Sequence, residues 1–285
     1  MNPDNPVVAV IAAGMMGGAI GGRLVEKGLS VLTSLSGRSA ATAARARKFG
    51  LTPAVDEEIV AADFILSILP PADALALAQR FAPWLAASRR KPVFVDCNAV
   101  SPRTVERIAA VIESSGAPFV DVGIIGAPPK TGDAGPRFYA SGAQAQRFAM
   151  LNAFGLDVRV LDGPPTAASA MKMSYAGMTK GTQALNAVML LAAMRGGTAP
   201  ALLGELQASQ PHLLAWLQNY LAVMPPKASR WIGEMHEIAD FVGENPAGRE
   251  LYAGAARFYE QIACDVAGAG TDVAALDAFF KHAGK

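Results

Sequence analysis

Over the first 165 residues, short apolar runs alternate with segments whose apolar positions recur every three or four residues. The runs fall at 7–11, 31–35, 64–69, 93–96, 119–125, 138–141 and 158–161, each the length of a buried strand. Between them, 72–81, 102–114 and 143–154 carry helical periodicity; Ser101 and Pro102 stand at the N-cap and first helical position of the second. Such alternation predicts α/β architecture, a doubly wound and mainly parallel sheet with helices on both faces. After Gly163-Pro164-Pro165 the strand pattern stops. The remainder reads as helix broken at Gly196-Gly197, Pro211, Pro225-Pro226 and Asn245-Pro246. Two domains are expected, a sheet domain over 1–165 and an all-α domain over 166–285.

The helix predicted over 167–194 is apolar on nearly every side except for one stripe. Lys172, Tyr175, Thr179, Gln183 and Asn186 share a face at the 3.6-residue period. An ammonium group in such a helix is costly unless it is paired or used, so Lys172 is the first candidate for proton transfer.

A nucleotide site is predicted further upstream. The run from Ile11 to Gly17 lies between a strand and a helix, the place of a Rossmann dinucleotide fingerprint, with Ala12 standing for the first glycine of G-x-G-x-x-G. Gly14 keeps the glycine that lets a pyrophosphate approach the backbone, and Gly17 the one that packs helix on strand. Gly14, Met15, Met16 and Gly17 are therefore cofactor-binding candidates, and Ala12 must turn the chain with φ negative. At the end of the second strand, where NAD-binding chains place a carboxylate, this one has Ser36-Gly37-Arg38-Ser39. An arginine fork flanked by hydroxyls suits a 2′-phosphate, so NADP(H) is expected in preference to NAD(H). The loops carrying Leu69 and Pro70, and Asn98, leave the carboxyl ends of strands and are expected to wall the nicotinamide.

Composition narrows the class without naming it. The chain has 285 residues, 52% of them hydrophobic and 17% charged, and a net charge of +1. That charge provides no field for nucleic acid or an acidic membrane, and the apolar run after residue 7 is too short to span a bilayer. A soluble protein is expected. Cys97 and Cys264 are two cysteines far apart, which fits reduced thiols and a cytoplasmic setting. No His/Asp/Glu spacing suggests a metal, and His212, His236 and His282 are given no role. The apolar surplus of the helical half predicts a homodimer through that domain.

Several segments together resemble the β-hydroxyacid dehydrogenase superfamily of 3-hydroxyisobutyrate and 6-phosphogluconate dehydrogenases. They are 11–17, Leu69-Pro70-Pro71, 96–102, 121–126, and 163–172, where the lysine follows the glycine by nine. The segments 172–181 and 230–235 are similar to a branch whose C-terminal domain has no known function. The resemblance implies that Lys172 is the general acid/base for a small hydroxy or oxo substrate. It also implies that Ile124, Ile125 and Gly126 occupy the strand end which elsewhere grips a substrate carboxylate. Ile125 replaces the family's serine there, and Ala176 its asparagine, with Tyr175 and Thr179 as substitutes; a substrate that is less polar, or held differently, is expected. Trp231 and Glu234 complete the expected substrate residues. Two other functions stay open: an imine reductase, with Tyr175 as proton donor, and a catalytically silent NADP(H)-binding regulator.

Overall fold

The computed structural model describes residues 5–281; His282 lies outside them. The chain divides into two compact units, Met1–Met173 and Ser174–Lys285. The first contains β1 (Val8–Ile11), α1 (Met15–Glu26), β2 (Val31–Thr33), α2 (Ala40–Lys48), β3 (Thr52–Pro53), α3 (Asp56–Ile59) and β4 (Phe64–Ser67). These are followed by α4 (Pro71–Ala87), β5 (Val93–Asp96), α5 (Pro102–Ser114), β6 (Phe119–Ile125), β7 (Arg137–Ser141), α6 (Ala145–Ala149) and β8 (Asp157–Val160). The helix α7 (Ala167–Arg195) begins in this unit and continues into the second.

The eight strands form one sheet in the order β3-β2-β1-β4-β5-β6-β7-β8. All neighbours are parallel except β6 and β7. The central strands β1, β4, β5 and β6 are short and buried on both faces, so their alternating residues feed two cores. Val8, Val10, Leu66, Val95 and Val122 pack on one side, and Ala9, Ile11, Ile65, Phe94 and Phe119 on the other. The strand order reverses between β1 and β4, and a ligand crevice in such sheets opens at that point beyond the carboxyl ends. The glycine loop after β1 lies there.

The expected boundary at 165 precedes α7, whereas the compact units divide after Met173. The cause is local: Ser169 and Lys172, in the first two turns of α7, bond to β6. Two other expectations are adjusted. The segment 143–154 is α6 followed by a 3-10 turn, Met150–Phe154, and α4 runs six residues past its expected end, through Pro83.

In the second unit the remainder of α7 is followed by α8 (Ala199–Ser209), α9 (Pro211–Leu221), α10 (Ala228–Phe241), α11 (Pro246–Ala267) and α12 (Thr271–Lys281). The helices α10 and α11 form its main packed pair, and Gly177 and Gly181 of α7 admit the Tyr252 ring of α11 closely. No helix among the described residues is long and apolar enough to cross a membrane.

Candidate nucleotide-binding and catalytic site

Gly14 is the N-cap of α1, in extended backbone, and no side chain caps the helix. The first amides of a helix lack intrahelical acceptors and carry the positive end of its dipole. A Cβ on Gly14 would meet nothing within 4 Å, so this helix start faces open space of the kind a pyrophosphate needs. Gly17 is required for the opposite reason. A Cβ there would stand 2.1 Å from the carbonyl oxygen of Ala12, so only glycine lets the helix leave the strand at this angle. Ala12 makes the turn without left-handed backbone, since no described residue other than glycine has positive φ. The Met15 side chain is exposed at the rim and Met16 packs on the core.

Beyond β2, Arg38 is half-buried and Ser36 is exposed. Ser39 is the N-cap of α2, its hydroxyl accepting the Thr42 amide at 3.3 Å. Sequence reasoning missed two neighbours. Arg45 of α2 donates to the carbonyl of Ala13 at 3.2 Å, placing a second guanidinium on the glycine loop. Asp56 of α3 reaches Ser34 at the end of β2, but Arg80 of α4 holds both of its carboxylate oxygens, at 2.7 and 2.6 Å. That carboxylate is already neutralised. Periodicity could not have found either side chain, because both lie on short helices with almost no apolar face.

Asn98 ties together the loops at the carboxyl edge of β4 and β5. Its Oδ1 accepts the Leu69 amide at 2.6 Å, and its Nδ2 donates to Ser67 at 2.8 Å and to Asp96. Pro70 therefore starts α4 from a fixed position. Further along the edge, Lys172 is half-buried and its amine donates to the carbonyl of Ile124 at 2.8 Å. Ile125 is half-buried beside it in sequence, and Gly126 turns the chain at φ +134°, where a Cβ would stand 2.9 Å from Pro136. Lys172, Ile124, Ile125 and Gly126 are thus brought together by β6 and the first turns of α7.

In the helical unit Tyr175 is exposed, and the hydroxyl of Thr179 donates to the Tyr175 carbonyl at 2.8 Å. Gln183 and Asn186 likewise donate to carbonyls one turn back, so the donors of this part of the polar stripe are used within its own helix, while the buried Oε1 of Gln183 has no hydrogen-bond partner. Trp231 and Glu234 are buried together. The Glu234 carboxylate is ion-paired with Lys180, whose amine lies 5.0 Å from the centre of the Trp231 ring. Burial pulls the Lys180 amine below its ordinary pKa, and the Glu234 charge opposes that shift. Burial, with the Glu234 charge, pushes the Tyr259 hydroxyl up. Glu234 is therefore already matched with a cation in this unit. Among the described residues no group of three or more His, Cys, Asp or Glu side chains is arranged for a metal.

An uncapped helix start at the switch point of a doubly wound sheet is the place where folds of this class bind the pyrophosphate of a dinucleotide. Residues 7–155 match the NAD binding domain of 6-phosphogluconate dehydrogenase, and residues 193–262 match a domain of unknown function, DUF1932. The chain belongs to the β-hydroxyacid dehydrogenase superfamily. A conserved protein of unknown function with structural similarity to 3-hydroxyacid dehydrogenases is 30% identical, over 90% of this chain and 96% of that one, at a TM-score of 0.69. An uncharacterised 28.5 kDa protein of Methanothermus fervidus is 29% identical over 159 residues, 55% of this chain and 59% of that protein. Two more distant structures share the fold. The 3-hydroxyisobutyrate dehydrogenase of Mycobacterium tuberculosis is 22% identical, with 91% of this chain and 94% of that one covered and a TM-score of 0.66. For an imine reductase of Myxococcus stipitatus the figures are 19%, 97% and 99%, and 0.57.

Proposed function

We propose that the chain is an NADP-dependent oxidoreductase that interconverts a small hydroxy compound and its oxo partner, with Lys172 as general acid/base. The observation that carries this reading is the Lys172 amine, half-buried and held by the Ile124 carbonyl at the carboxyl edge of the same sheet that bears the glycine loop. Bound NADP(H) supplies the hydride acceptor or donor. The amides of Met15 and Met16 meet its pyrophosphate, Arg38 and Ser36 its 2′-phosphate, and Arg45 adds charge beside the loop. Leu69 and Pro70, fixed through Asn98, keep water from the nicotinamide side.

A neutral lysine amine has two N–H groups and one lone pair. Giving one N–H to Ile124 orients the lone pair, which takes the hydroxyl proton during oxidation. In reduction the ammonium returns that proton to the carbonyl oxygen. The isoleucines at 124 and 125 offer no side-chain donor to a carboxylate, which favours a substrate with an apolar flank. Imine reduction is the second reading, favoured by the exposed hydroxyl-bearing side chain of Tyr175 on α7.

The helical unit is proposed to pair with a second copy of this chain, and a cytoplasmic setting suits its unpaired cysteines. The enzymatic test follows NADPH oxidation with short aldehydes, 3-oxo acids and cyclic imines. Lys172→Ala is expected to lower turnover of the oxo compounds by about 100-fold or more while leaving NADPH affinity nearly unchanged. Full activity in that variant removes the acid/base role. Tight NADPH binding with no compound turned over would favour a silent regulator.

A further inference from the structure

Two carboxyl groups are buried side by side at the carboxyl edge of the sheet, and the chemistry proposed for Lys172 uses neither. Asp96 ends β5, Asp121 lies on β6, and parallel pairing sets them opposite each other. Their surroundings differ. Asp121 accepts the Ser169 amide at 2.8 Å on Oδ2 and the Ser169 hydroxyl at 2.6 Å on Oδ1, and the Ser141 hydroxyl lies 3.3 Å from Oδ2. Asp96 accepts from Asn98 on Oδ1, whereas its buried Oδ2 has no hydrogen-bond partner.

Ser169 is the third residue of α7, so its amide is one of the helix-start donors that must find an acceptor outside the helix. The Ala168 amide, another of these, donates to the Ser141 hydroxyl at 3.0 Å. Asp121 and Ser141 face each other across β6 and β7. Two strands therefore cap α7, and a carboxylate there also meets the positive end of the helix dipole.

The same strand fixes the next turn. Gly123 shares a sheet face with Asp121, and a Cβ on it would stand 2.9 Å from both the Ala168 carbonyl oxygen and the Lys172 Cβ. The following residue, Ile124, receives the Lys172 amine. Asp121, Gly123 and Ile124 thus hold Ser169, Ala168 and Lys172 in one register. A slide of α7 by a single residue, about 1.5 Å, would break all three contacts.

We propose that Asp121 is a positioning residue for Lys172, its carboxylate gripping the first turn of α7, and that Asp96 beside it governs how firmly it grips, a role that rests on the acid/base reading of Lys172. Burial raises the Asp121 pKa to about 6, with the Ser169 and Ser141 hydrogen bonds opposing it. Burial, and then the Asp121 charge, raise that of Asp96 to about 8 against the bonds from Asn98 and Ser67. Asp121 from β6 and the adjacent Cys97 thiol are the titratable groups facing Asp96; Ser67 of β4 and Asn98 are neutral. Burial and the two carboxyls push the Cys97 thiol well up, so it stays protonated.

At neutral pH Asp96 keeps its proton and Asp121 carries the charge that holds Ser169. Above about pH 8 Asp96 loses its proton, two adjacent charges repel in a poorly solvated site, and the grip on Ser169 loosens. The effect on stability has the same sign. Both folded-state values lie above the ordinary carboxyl value, so the folded chain binds more protons than the unfolded one. The stabilisation is complete below about pH 4. It declines as pH rises through about 6 for Asp121 and about 8 for Asp96.

The test follows the Ala168 and Ser169 amides by nuclear magnetic resonance in the full chain, from neutral pH to about pH 9.5, together with NADPH-dependent turnover of the oxo compound reduced fastest in the panel above. In the wild type the Ser169 amide is expected to shift and lose exchange protection with a midpoint near 8. Asp96→Asn, which mimics the protonated carboxyl, is expected to abolish that transition of the Ser169 amide and to keep turnover at neutral pH. Asp121→Asn is expected to weaken protection at every pH and to lower kcat by about tenfold to a hundredfold, with KM little changed. If Asp121→Asn does not fold, Ser169→Ala takes its place, with a smaller fall in kcat and the same unchanged KM. A Ser169 amide indifferent to pH, a transition that persists in Asp96→Asn, or an effect confined to KM overturns the proposal. The amide measurements need no substrate. If they come out as expected while Lys172→Ala remains fully active, the acid/base reading fails alone; a flat Ser169 amide beside an inactive Lys172→Ala fails the positioning role alone.

Discussion

Gly14 and Gly17 are three residues apart, at the N-cap and in the first turn of α1, and resist substitution for different reasons. A methyl at Gly17 collides with the Ala12 carbonyl oxygen at 2.1 Å, and backbone cannot yield as a flexible side chain can. A methyl at Gly14 meets open space but would take volume that the proposed cofactor needs. Gly17→Ala is therefore expected to cost about 2 kcal/mol or more of stability, read as a lower midpoint in urea, and to weaken NADPH binding with it. Gly14→Ala should keep the wild-type midpoint and lose at least about tenfold in NADPH affinity. Equal midpoints for the two variants, or unchanged affinity in Gly14→Ala, would contradict these assignments. Near Lys172 the division of labour is as fine: the chemistry proposed for the lysine depends on Gly123, which lets the helix approach, and on the Ile124 carbonyl, which accepts a hydrogen bond from the amine.

At the scale of the element, α7 has two unlike long faces. The polar stripe was legible in sequence because its spacing is helical. Its use was not, because Thr179, Gln183 and Asn186 bond to their own helix one turn back, which hydrophobic pattern cannot reveal. The outer face was not read at all. Tyr175, Met178, Leu185 and Met189 are exposed by 48%, 74%, 59% and 57%. With Thr182 and Ala192 they repeat at intervals of three and four, the seam by which two helices interlock. Such an apolar line is costly in water, and the homodimer proposed above would cover it. Leu185→Glu combined with Met189→Glu is expected to yield a monomer in sedimentation or light scattering, with helical content retained. A wild type already monomeric at micromolar concentration, or a double variant that still dimerises, would remove the seam from the interface.

At the scale of the whole molecule, the strands that build the nucleotide crevice were readable because each is a short apolar run bounded by glycine, proline or a polar turn. The elements beyond β2 were not. In α2 only Ala46 is buried, and β3 is two residues long, so neither leaves a hydrophobic signature, although α2 carries Arg45. Helix α4 continues past Pro83 because Leu85 is buried beyond it, a tertiary gain that propensity does not foresee. The cofactor preference is therefore best judged on the whole folded chain. A ligand that binds only the folded state stabilises it by about 2.7 kcal/mol at a hundredfold excess over Kd, or about 5–10 °C in Tm for a domain of this size. With Arg38 half-buried beyond β2 and Asp56 already held by Arg80, NADPH should raise Tm by several degrees more than NADH at equal concentration. Arg38→Ala should erase that difference while leaving the NADH shift in place. Equal shifts for the two cofactors in the wild type would place the 2′-phosphate away from Arg38 and return NAD(H) as the natural partner.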